Sequence, residues 1–391
     1  MGANLSIIVV GAGVFGLGSA IELARRGHTI TLLDPGPIPH PRAASTDISK
    51  AVRMDYGSDE LYMALMEEAF EVWDQWNREW KEALYHQDGF LVLSPSEMKP
   101  GSFEYESFQM LRKRGHSAER LSSKILRSRF PAWNAEKYSD GYFNPRAGWA
   151  ESAKVVEQLA RYAQAAGVSV RQNLSASSLS MDDRRVTGVV ATDGERYSAD
   201  VVILATGTWS PLLSNRLSTM ISHVAQPIFY FHPKNVDLYK ARVFPVWAAD
   251  LSNTGWYGFP VTSDGTVKVS NHGPGRKVHP DDNRETAAGD EVWCRKFLSD
   301  NLPSLAEAPL AGSRTCLYCD SWDGNFYIDH DPEFPGLVYA TGGSGHAFKF
   351  TPVLGRIVAD VVELKPNPYS SRFAWRKPSA QAVKEQARFK G

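Results

Sequence analysis

The chain begins with a glycine-rich loop set between an apolar strand and a helix. Residues Ser6–Val10 form a short apolar run rich in β-branched side chains, which is typical of a buried parallel strand. The loop Gly11-Ala-Gly13-Val-Phe-Gly16 follows at once, and the apolar positions of Leu17–Gly27 predict a helix that Gly27 ends. A strand, such a loop and a helix in this order predict a dinucleotide-binding unit.

Each glycine of the loop has its own expected role. Gly11 permits the tight turn, Gly13 lets backbone N–H groups approach a pyrophosphate, and Gly16 permits close packing of helix on strand. The helix N-terminus offers free N–H groups and a favourable dipole to the phosphates. We therefore include Val14 and Phe15, which lie between the last two glycines, among the expected cofactor contacts.

Asp34 ends the second predicted strand, Thr29–Leu33, and is expected to accept hydrogen bonds from a ribose 2′-OH. These first residues do not separate NAD from FAD. Two distant strands, Val201–Gly207 and Gly336–Gly343, end in Ala-Thr-Gly and are expected to feed the same nucleotide site, as in large flavin oxidoreductases. The expected cofactor contacts in and after these strands are Gly207, Trp209, Gly343, Gly345, His346, Phe348 and Lys349.

Charge and cysteine content limit the classes of partner. The 43 basic side chains nearly cancel the 44 acidic ones, so nothing predicts binding to nucleic acid or an anionic membrane. No stretch approaches the roughly 20 apolar residues of a membrane span. Only Cys294, Cys316 and Cys319 are present, which favours a reducing, cytoplasmic location, and the C-terminus does not support a peroxisomal one. No second Cys-x-x-Cys or paired histidine completes a metal set, so no metal is predicted.

An ordered series of motifs runs nearly from end to end. The motifs are Lys50-Ala-Val-Arg53-x-x-Tyr56-Gly57, Gly141-Tyr-Phe-Asn-Pro145, Tyr257-Gly-Phe-Pro260, Lys268-x-x-x-His272, Thr315-Cys316-Leu-Tyr318 and Gly345-His346-Ala-Phe348-Lys349-Phe350. With them the chain resembles the monomeric sarcosine oxidase family, which includes pipecolate, saccharopine and fructosyl-amino-acid oxidases. The resemblance implies that the cofactor is FAD.

The resemblance also assigns residues near the flavin. It implies a thioether between Cys316 and the flavin 8α carbon, which agrees with the nucleophilic character of a thiolate. Lys50 matches a basic residue close to the flavin. Lys268 matches the lysine implicated in activating dioxygen, where a fixed cation would stabilise superoxide. If Lys268–His272 is a strand, Lys268 and His272 face the same side.

Substrate contacts follow from the same motifs. Arg53 and Lys349 match the pair that binds a substrate carboxylate, for which an arginine fork and a point charge are suited. His272 matches a substrate-pocket histidine, and Tyr257 and Tyr318 match aromatic residues of the pocket wall.

Two departures from the family pattern bear on the substrate. Ala347 stands where the family usually has glycine. The segment Ala44-Ser-Thr-Asp-Ile-Ser49 is closer to the fungal saccharopine-type and fructosyl-amino-acid oxidases than to the sarcosine-type enzymes. Sarcosine itself is therefore not the expected substrate.

The expected fold is an α/β (α+β) fold with a Rossmann-type FAD-binding domain and a second, antiparallel-sheet substrate domain. The FAD-binding domain would comprise residues 1–86, 141–215 and 316–391, and the substrate domain residues 87–140 and 216–315. The expected activity is oxidation of the C–N bond of a secondary amine or imino acid that carries a carboxylate, by a monomer that uses dioxygen. A dehydrogenase with another acceptor and a biosynthetic oxidase of a larger amine remain alternatives.

Overall fold

A computed structural model describes residues 4–379 and 387–389. Four sheets and a set of packed helices make up this part of the chain. In chain order the strands are β1 Ser6–Val10, β2 Thr29–Leu33, β3 Lys50–Val52, β4 Tyr85–His86, β5 Phe90–Ser94, β6 Glu119–Arg120, β7 Asp140–Asn144, β8 Gly148–Ala150, β9 Ser169–Arg171, β10 Ala176–Asp182, β11 Arg185–Ala191, β12 Arg196–Ser198, β13 Val201–Leu204, β14 Ile221–Phe231, β15 Val246–Ala249, β16 Trp256–Val261, β17 Val267–Asn271, β18 Arg276–Lys277, β19 Leu310–Ser321, β20 Tyr327–His330 and β21 Leu337–Thr341.

Helices cover the sheets and connect their strands. They are α1 Val14–Arg25, α2 Glu60–Trp80, α3 Phe103–Lys113, α4 Ser123–Arg129, α5 Ser152–Ala165, α6 Ser210–Leu213, α7 Leu251–Thr254, α8 Asp290–Asn301, α9 Pro303–Ala306, α10 Thr351–Val362 and α11 Ser370–Phe373. Among the described residues, no helix is both long and apolar enough to cross a membrane.

The first sheet carries the predicted dinucleotide unit. Its strand order is β20-β21-β13-β1-β2-β9, and all neighbours pair in parallel except β20, the antiparallel edge strand. The predicted strands at the start of the chain have the bounds expected, and the two distant strands that end in Ala-Thr-Gly are β13 and β21 of the same sheet. Because carboxyl ends of parallel strands share one edge, the loops after β1, β13 and β21 meet there.

Gly11 and Gly16 show why the loop between β1 and α1 needs glycine. Gly11 has a φ of 102°, which a residue with a Cβ rarely adopts. A Cβ on Gly16 would lie 1.8 Å from the carbonyl oxygen of Gly11 and 3.3 Å from Val9 Cγ1. Gly16 therefore permits the close approach of helix and strand that the sequence predicts, while the helix itself begins earlier than predicted, at Val14.

We expect Gly16→Ala to destabilise the protein although alanine is the better helix former. The new methyl group would meet backbone that cannot move independently, so the loss should be about 1 to 3 kcal/mol, the range for overpacking. The thermal unfolding midpoint at one fixed scan rate measures it. Gly312→Ala is the control, because nothing lies within 4 Å of that Cβ position, and its midpoint should stay near that of the wild type. Equal midpoints for both variants would contradict the packing argument.

A large second sheet faces the carboxyl edge of the first. Its strand order is β18-β14-β17-β16-β15-β5-β7-β6, and β19 pairs with β14 along almost its whole length. Neighbours are antiparallel except β15 and β5. The expected α/β fold with a second, largely antiparallel sheet is thus present. The boundaries expected at 140/141 and 315/316 fall inside β7 and β19, so both strands cross the proposed division.

Candidate active site

A cavity of about 550 Å³ lies between the two sheets. Its lining includes the glycine loop and Asp34 at the carboxyl edge of the parallel sheet, residues of β16, His272 directly after β17, and the loop before α10. Most of the predicted site residues line it: Gly11, Gly13, Val14, Phe15, Asp34, Lys50, Arg53, Gly207, Trp209, Tyr257, His272, Cys316, Tyr318, Gly343, Gly345, His346, Phe348 and Lys349. Gly16 and Lys268 are the two predicted residues that do not line it.

Asp34 lies at the nucleotide end of the cavity. It is 5% exposed, and its carboxylate accepts backbone N–H groups from Ala12 at 2.8 Å and Gly36 at 3.1 Å. Burial raises the pKa of Asp34, although these two hydrogen bonds oppose the shift. The carboxylate therefore holds the glycine loop in place as well as facing the cavity.

The loop before β3 presents buried hydroxyl groups beside the cavity. The buried side-chain oxygens of Thr46 and Ser49 have no hydrogen-bond partner among the residues that the structure describes. Their neighbours Ser45 and Lys50 line the cavity, and a Cβ on Gly13 would have only Ser45 Oγ, at 3.6 Å, within 4 Å. Unsatisfied buried hydroxyls and a glycine facing open space suit a polar ligand such as the pyrophosphate or flavin of FAD.

Lys50 and Cys316 lie together in the cavity lining. Lys50 Nζ is 3.9 Å from Cys316 Sγ and 3.3 Å from Asp47 Oδ2. Burial opposes the charge on Lys50, but Cys316 and Asp47 raise its pKa. Cys316 is thus a buried cavity thiol with an ammonium beside it.

Cys319 differs from Cys316 in its surroundings. Its thiol donates a hydrogen bond to the Gly207 carbonyl at 3.2 Å, and burial raises its pKa to about 11. A thiol held protonated in this way is a poor nucleophile at neutral pH.

Lys268 is fully enclosed by protein. It is 1% exposed, and Nζ donates to Asp47 Oδ2 and to the Ser49 carbonyl, both at 2.6 Å. Its ammonium also packs 4.6 Å from the ring centroid of Phe259, which does line the cavity. Burial lowers the pKa of Lys268 to about 8, against the opposing effect of Asp47. Asp47 has a low pKa because the two lysines outweigh the effect of its burial.

Two buried cations, Arg53 and Lys349, line the end of the cavity that lies away from Asp34. They are 6% and 4% exposed, respectively, and both contact Tyr56. The guanidinium of Arg53 is 5.1 Å from the Tyr56 ring centroid, and Lys349 Nζ donates to the Tyr56 hydroxyl at 3.0 Å. Arg53 also stacks near Phe90 and donates to the Asp55 carbonyl, so its position is fixed by packing.

Aromatic side chains close this end of the cavity. The hydroxyls of Tyr257 and Tyr318 are 3.5 Å apart, and the ring of His272 lies 5.7 Å from that of Tyr318. Near the chain terminus, Arg388 packs 5.0 Å from the Tyr318 ring centroid and Phe389 donates its N–H to the His272 carbonyl at 3.1 Å. These contacts hold Tyr318 and His272, two residues of the pocket wall, in position.

Some contributors were not singled out from the sequence. Asp47 and Tyr56 lie inside the quoted segments but had no assigned role, and Phe259 stood in a motif without one. The expected shared face of Lys268 and His272 is only partly realised, since β17 ends at Asn271 and His272 alone reaches the cavity. Ala347 adopts helical backbone angles, so this position does not require glycine.

The chain belongs to the FAD dependent oxidoreductase family, whose match covers residues 6–361. It is 27% identical over 367 residues to monomeric sarcosine oxidase of Bacillus sp. (strain NS-129), covering 92% of this chain and 93% of that protein. It is 27% identical over 358 residues to N-methyl-L-tryptophan oxidase of Salmonella arizonae, covering 90% and 93%.

The chain is also similar to proteins of known structure. Fructosyl amine:oxygen oxidoreductase (Amadoriase I) from Aspergillus fumigatus superposes with a TM-score of 0.84 at 25% identity, covering 100% of this chain and 94% of that one. Fructosyl peptide oxidase from E. terrenum gives 0.85 at 25% identity, covering 99% and 96%. The protein is an FAD-dependent oxidoreductase, as the resemblance implied.

Proposed function

We propose that this protein oxidises the C–N bond of a secondary amine or imino acid that carries a carboxylate, and that dioxygen is the electron acceptor. Arg53 and Lys349, two buried cations on the same wall of the cofactor cavity, carry this proposal. The cavity lining contains only two carboxylates in the described residues, Asp34 at the nucleotide end and Asp281 beside Trp209. A substrate carboxylate bound at this wall would lie beside both cations.

The carboxylate fixes the substrate while other residues surround its amine. Arg53 presents a planar fork for bidentate binding and Lys349 adds a point charge. Tyr257, Tyr318 and Phe259 would pack against the amine and its side chain and exclude water. Among the described residues, no Asp or Glu lines the cavity there, so a cationic substrate side chain is not favoured. N-alkyl amino acids, pipecolate, saccharopine and fructosyl amino acids all meet the requirement for a carboxylate.

Bound FAD supplies the two-electron acceptor. The substrate C–N bond loses two electrons and two protons and becomes an imine, which water hydrolyses to a carbonyl compound and an amine. The electrons and protons leave with dioxygen as hydrogen peroxide, and the Lys268 cation would stabilise the negative charge that develops on oxygen. The protein's own residues bind, orient and enclose, while the cofactor carries the redox chemistry.

The cofactor is also proposed to be covalently held. Cys316 Sγ would form a thioether with the flavin 8α carbon. The thiol and that carbon would each lose one hydrogen, and the two protons and two electrons released would pass to dioxygen, with the ammonium of Lys50 beside the reacting sulfur. The dinucleotide contacts around the glycine loop and Asp34 would hold the ADP part. We propose the two-domain division given above, with β7 and β19 shared between its parts, and a monomer located in the cytoplasm.

Peroxide formation by the wild type and an Arg53→Met variant tests the substrate class. The screen uses sarcosine, N-methyl amino acids, pipecolate, saccharopine and fructosyl amino acids. We expect at least one carboxylate substrate to give peroxide and Arg53→Met to lower its kcat/KM roughly a hundredfold, since a bidentate charged contact contributes about 3 kcal/mol. The loss should appear mainly in KM.

Arg146→Met is the matched control. Arg146 also stacks on a phenyl ring, that of Phe70 at 4.4 Å, and pairs with Asp74, but it does not line the cavity. Its kcat/KM should stay within about threefold of the wild type. Equal losses in the two variants, or a substrate that is oxidised equally well without its carboxylate, would refute the proposed substrate recognition.

A further inference from the structure

Asp47 is a buried carboxylate that the function proposed above leaves without a role. Its side chain is 0% exposed, and four donors contact its two oxygens. Oδ2 accepts from Lys268 at 2.6 Å and Lys50 at 3.3 Å, and Oδ1 accepts from the Tyr230 hydroxyl at 2.7 Å and the Ile48 N–H at 2.8 Å. A buried carboxylate with this many donors is strongly held in its ionised form.

The backbone of Asp47 is fixed as well. Its carbonyl oxygen accepts the Ala153 N–H at 3.0 Å and the Ser152 hydroxyl at 2.7 Å, at the start of α5. Lys268 on β17 lies directly opposite Tyr230 on β14, and both reach the same carboxylate. Contacts with the start of α5 and with strands β14 and β17 thus hold Asp47 in place. Its carboxylate therefore has little freedom to move if a lysine side chain moves.

Asp47 forms ion pairs with two lysines, Lys50 and Lys268, of which only one lines the cavity. Lys50 lines the cavity beside Cys316, whereas Lys268 does not line it. Charged and titratable groups from several elements act on Asp47 and Lys268, and they include Lys50 on β3, Tyr230 on β14, and Arg314 and Cys316 on β19. The cations outnumber the single carboxylate, so its loss would leave adjacent positive charges buried together.

The more buried of the two lysines would then give up its charge. The side chain of Lys268 is 2% exposed and that of Lys50 is 16% exposed. A buried ammonium without a counterion deprotonates more readily than one near solvent. Removal of the Asp47 charge should therefore neutralise Lys268 first.

We propose that Asp47 is a positioning residue for the reaction with dioxygen, which keeps Lys268 charged and fixed in place while it shares its carboxylate with Lys50. The inference rests on the proposed oxidase function, because it acts only through Lys268. Asp47 does not line the cavity, yet its replacement should change the rate of the reaction with dioxygen.

The experiment compares Asp47→Asn, Lys268→Met and the double variant as holoenzymes. The enzyme is reduced anaerobically with substrate and then mixed with dioxygen, so that reduction and reoxidation are timed separately. We expect Asp47→Asn to slow reoxidation at pH 7.5 by about tenfold or more and to change reduction by less than about threefold. The double variant should be no slower in reoxidation than Lys268→Met, because residues that act through one another are not additive.

The pH dependence of thermal unfolding gives a readout apart from turnover. The pKa of Lys268 is lowered to about 8 in the folded protein, so Lys268 contributes stability that rises with pH above about 8, up to its unfolded value. Loss of the Asp47 charge lowers that pKa further. The midpoint difference between the wild type and Asp47→Asn should therefore be largest at low pH, where Lys268 is protonated in both folded proteins, shrink as the pH rises toward about 8, and stay constant above it.

Asp331→Asn is the matched control. Asp331 is buried like Asp47, accepts the Tyr339 hydroxyl at 2.7 Å and pairs with Arg216 at 3.0 Å, but it lies outside the cavity lining. We expect this variant to lose stability without slowing reoxidation. Asp47→Glu keeps the charge and serves as the test pair with Lys268→Met if Asp47→Asn does not accumulate. Asp47→Glu should slow reoxidation as a single variant. Combined with Lys268→Met, it should not slow reoxidation beyond the rate of Lys268→Met by itself.

The outcomes separate the two proposals. Additive effects of the Asp47 and Lys268 substitutions on reoxidation, or equal slowing by Asp331→Asn, would overturn the role of Asp47 and leave the oxidase proposal intact. If Lys268→Met itself reoxidises at the wild-type rate, the role of Lys268 in the oxidase proposal fails and the role of Asp47 fails with it.

Discussion

Replacing Cys316 with alanine should abolish covalent retention of the flavin. When the wild type is denatured in acid, the yellow colour should stay with the precipitated chain, and in Cys316→Ala it should pass entirely to the supernatant. The reason is chemical: Cys316 is the thiol with an ammonium beside it in the cavity, 3.9 Å from Lys50. Flavin absorbance in both fractions and the intact mass of the chain measure the effect.

Cys319→Ala is the matched control for this experiment. Cys319 is also buried and lines the same cavity, but its thiol donates to the Gly207 carbonyl and its pKa is raised to about 11. We expect its flavin to remain with the chain. Flavin release from the denatured wild type, or release caused by the Cys319 substitution alone, would contradict the proposed attachment site.

Replacing Lys268 with methionine should have the second large effect, on the reaction with dioxygen. Loss of a fixed cation near developing oxygen charge should slow reoxidation roughly a hundred- to a thousandfold. Reduction by substrate should change by less than about threefold, since Arg53 and Lys349 remain. Stopped-flow absorbance of the flavin measures both halves of the reaction. A dehydrogenase that uses another acceptor would show almost no change in reoxidation.

The same lysine should set the alkaline limit of the oxygen reaction. Burial lowers the pKa of Lys268 to about 8, so its charge, and with it the rate of reoxidation, should fall as the pH rises through that value. Substrate amines react unprotonated, so reduction should rise with pH over the same range. Turnover is therefore expected to have a bell-shaped pH profile, and Lys268→Met should lose its alkaline limb. An unchanged limb in that variant would mean that another group titrates there.

Local sequence was enough to predict the nucleotide half of the site. The strand, glycine loop, helix and Asp34 form one continuous stretch, and backbone sterics at Gly11 and Gly16 restrict what that stretch can do. Resemblance along the rest of the chain identified FAD, and the family match over residues 6–361 supports it. Most predicted site residues line one cavity. The glycine loop, Gly207 and Gly343 follow strands of the parallel sheet, whereas Tyr257 and Cys316 lie on β16 and β19 of the second sheet.

The full course of β7 and β19 and the surroundings of Lys268 could not be predicted from local sequence. Strands β7 and β19 continue through the expected boundaries because their pairing partners, β5 and β14, come from other segments. A strand's length is decided by the partners available to it as well as by its own residues.

The sequence by itself determined the class of cofactor and the glycine loop between β1 and α1, and it identified Arg53 and Lys349 as the cations expected to bind a carboxylate. Only the tertiary structure decided which charges meet. Asp47 and Lys268 are separated by 221 residues, yet their charged atoms are 2.6 Å apart and enclosed from solvent. Local patterns cannot reveal such a contact, because burial and the pairing of β14 with β17 bring the carboxylate and the ammonium together and thereby set the pKa of the lysine.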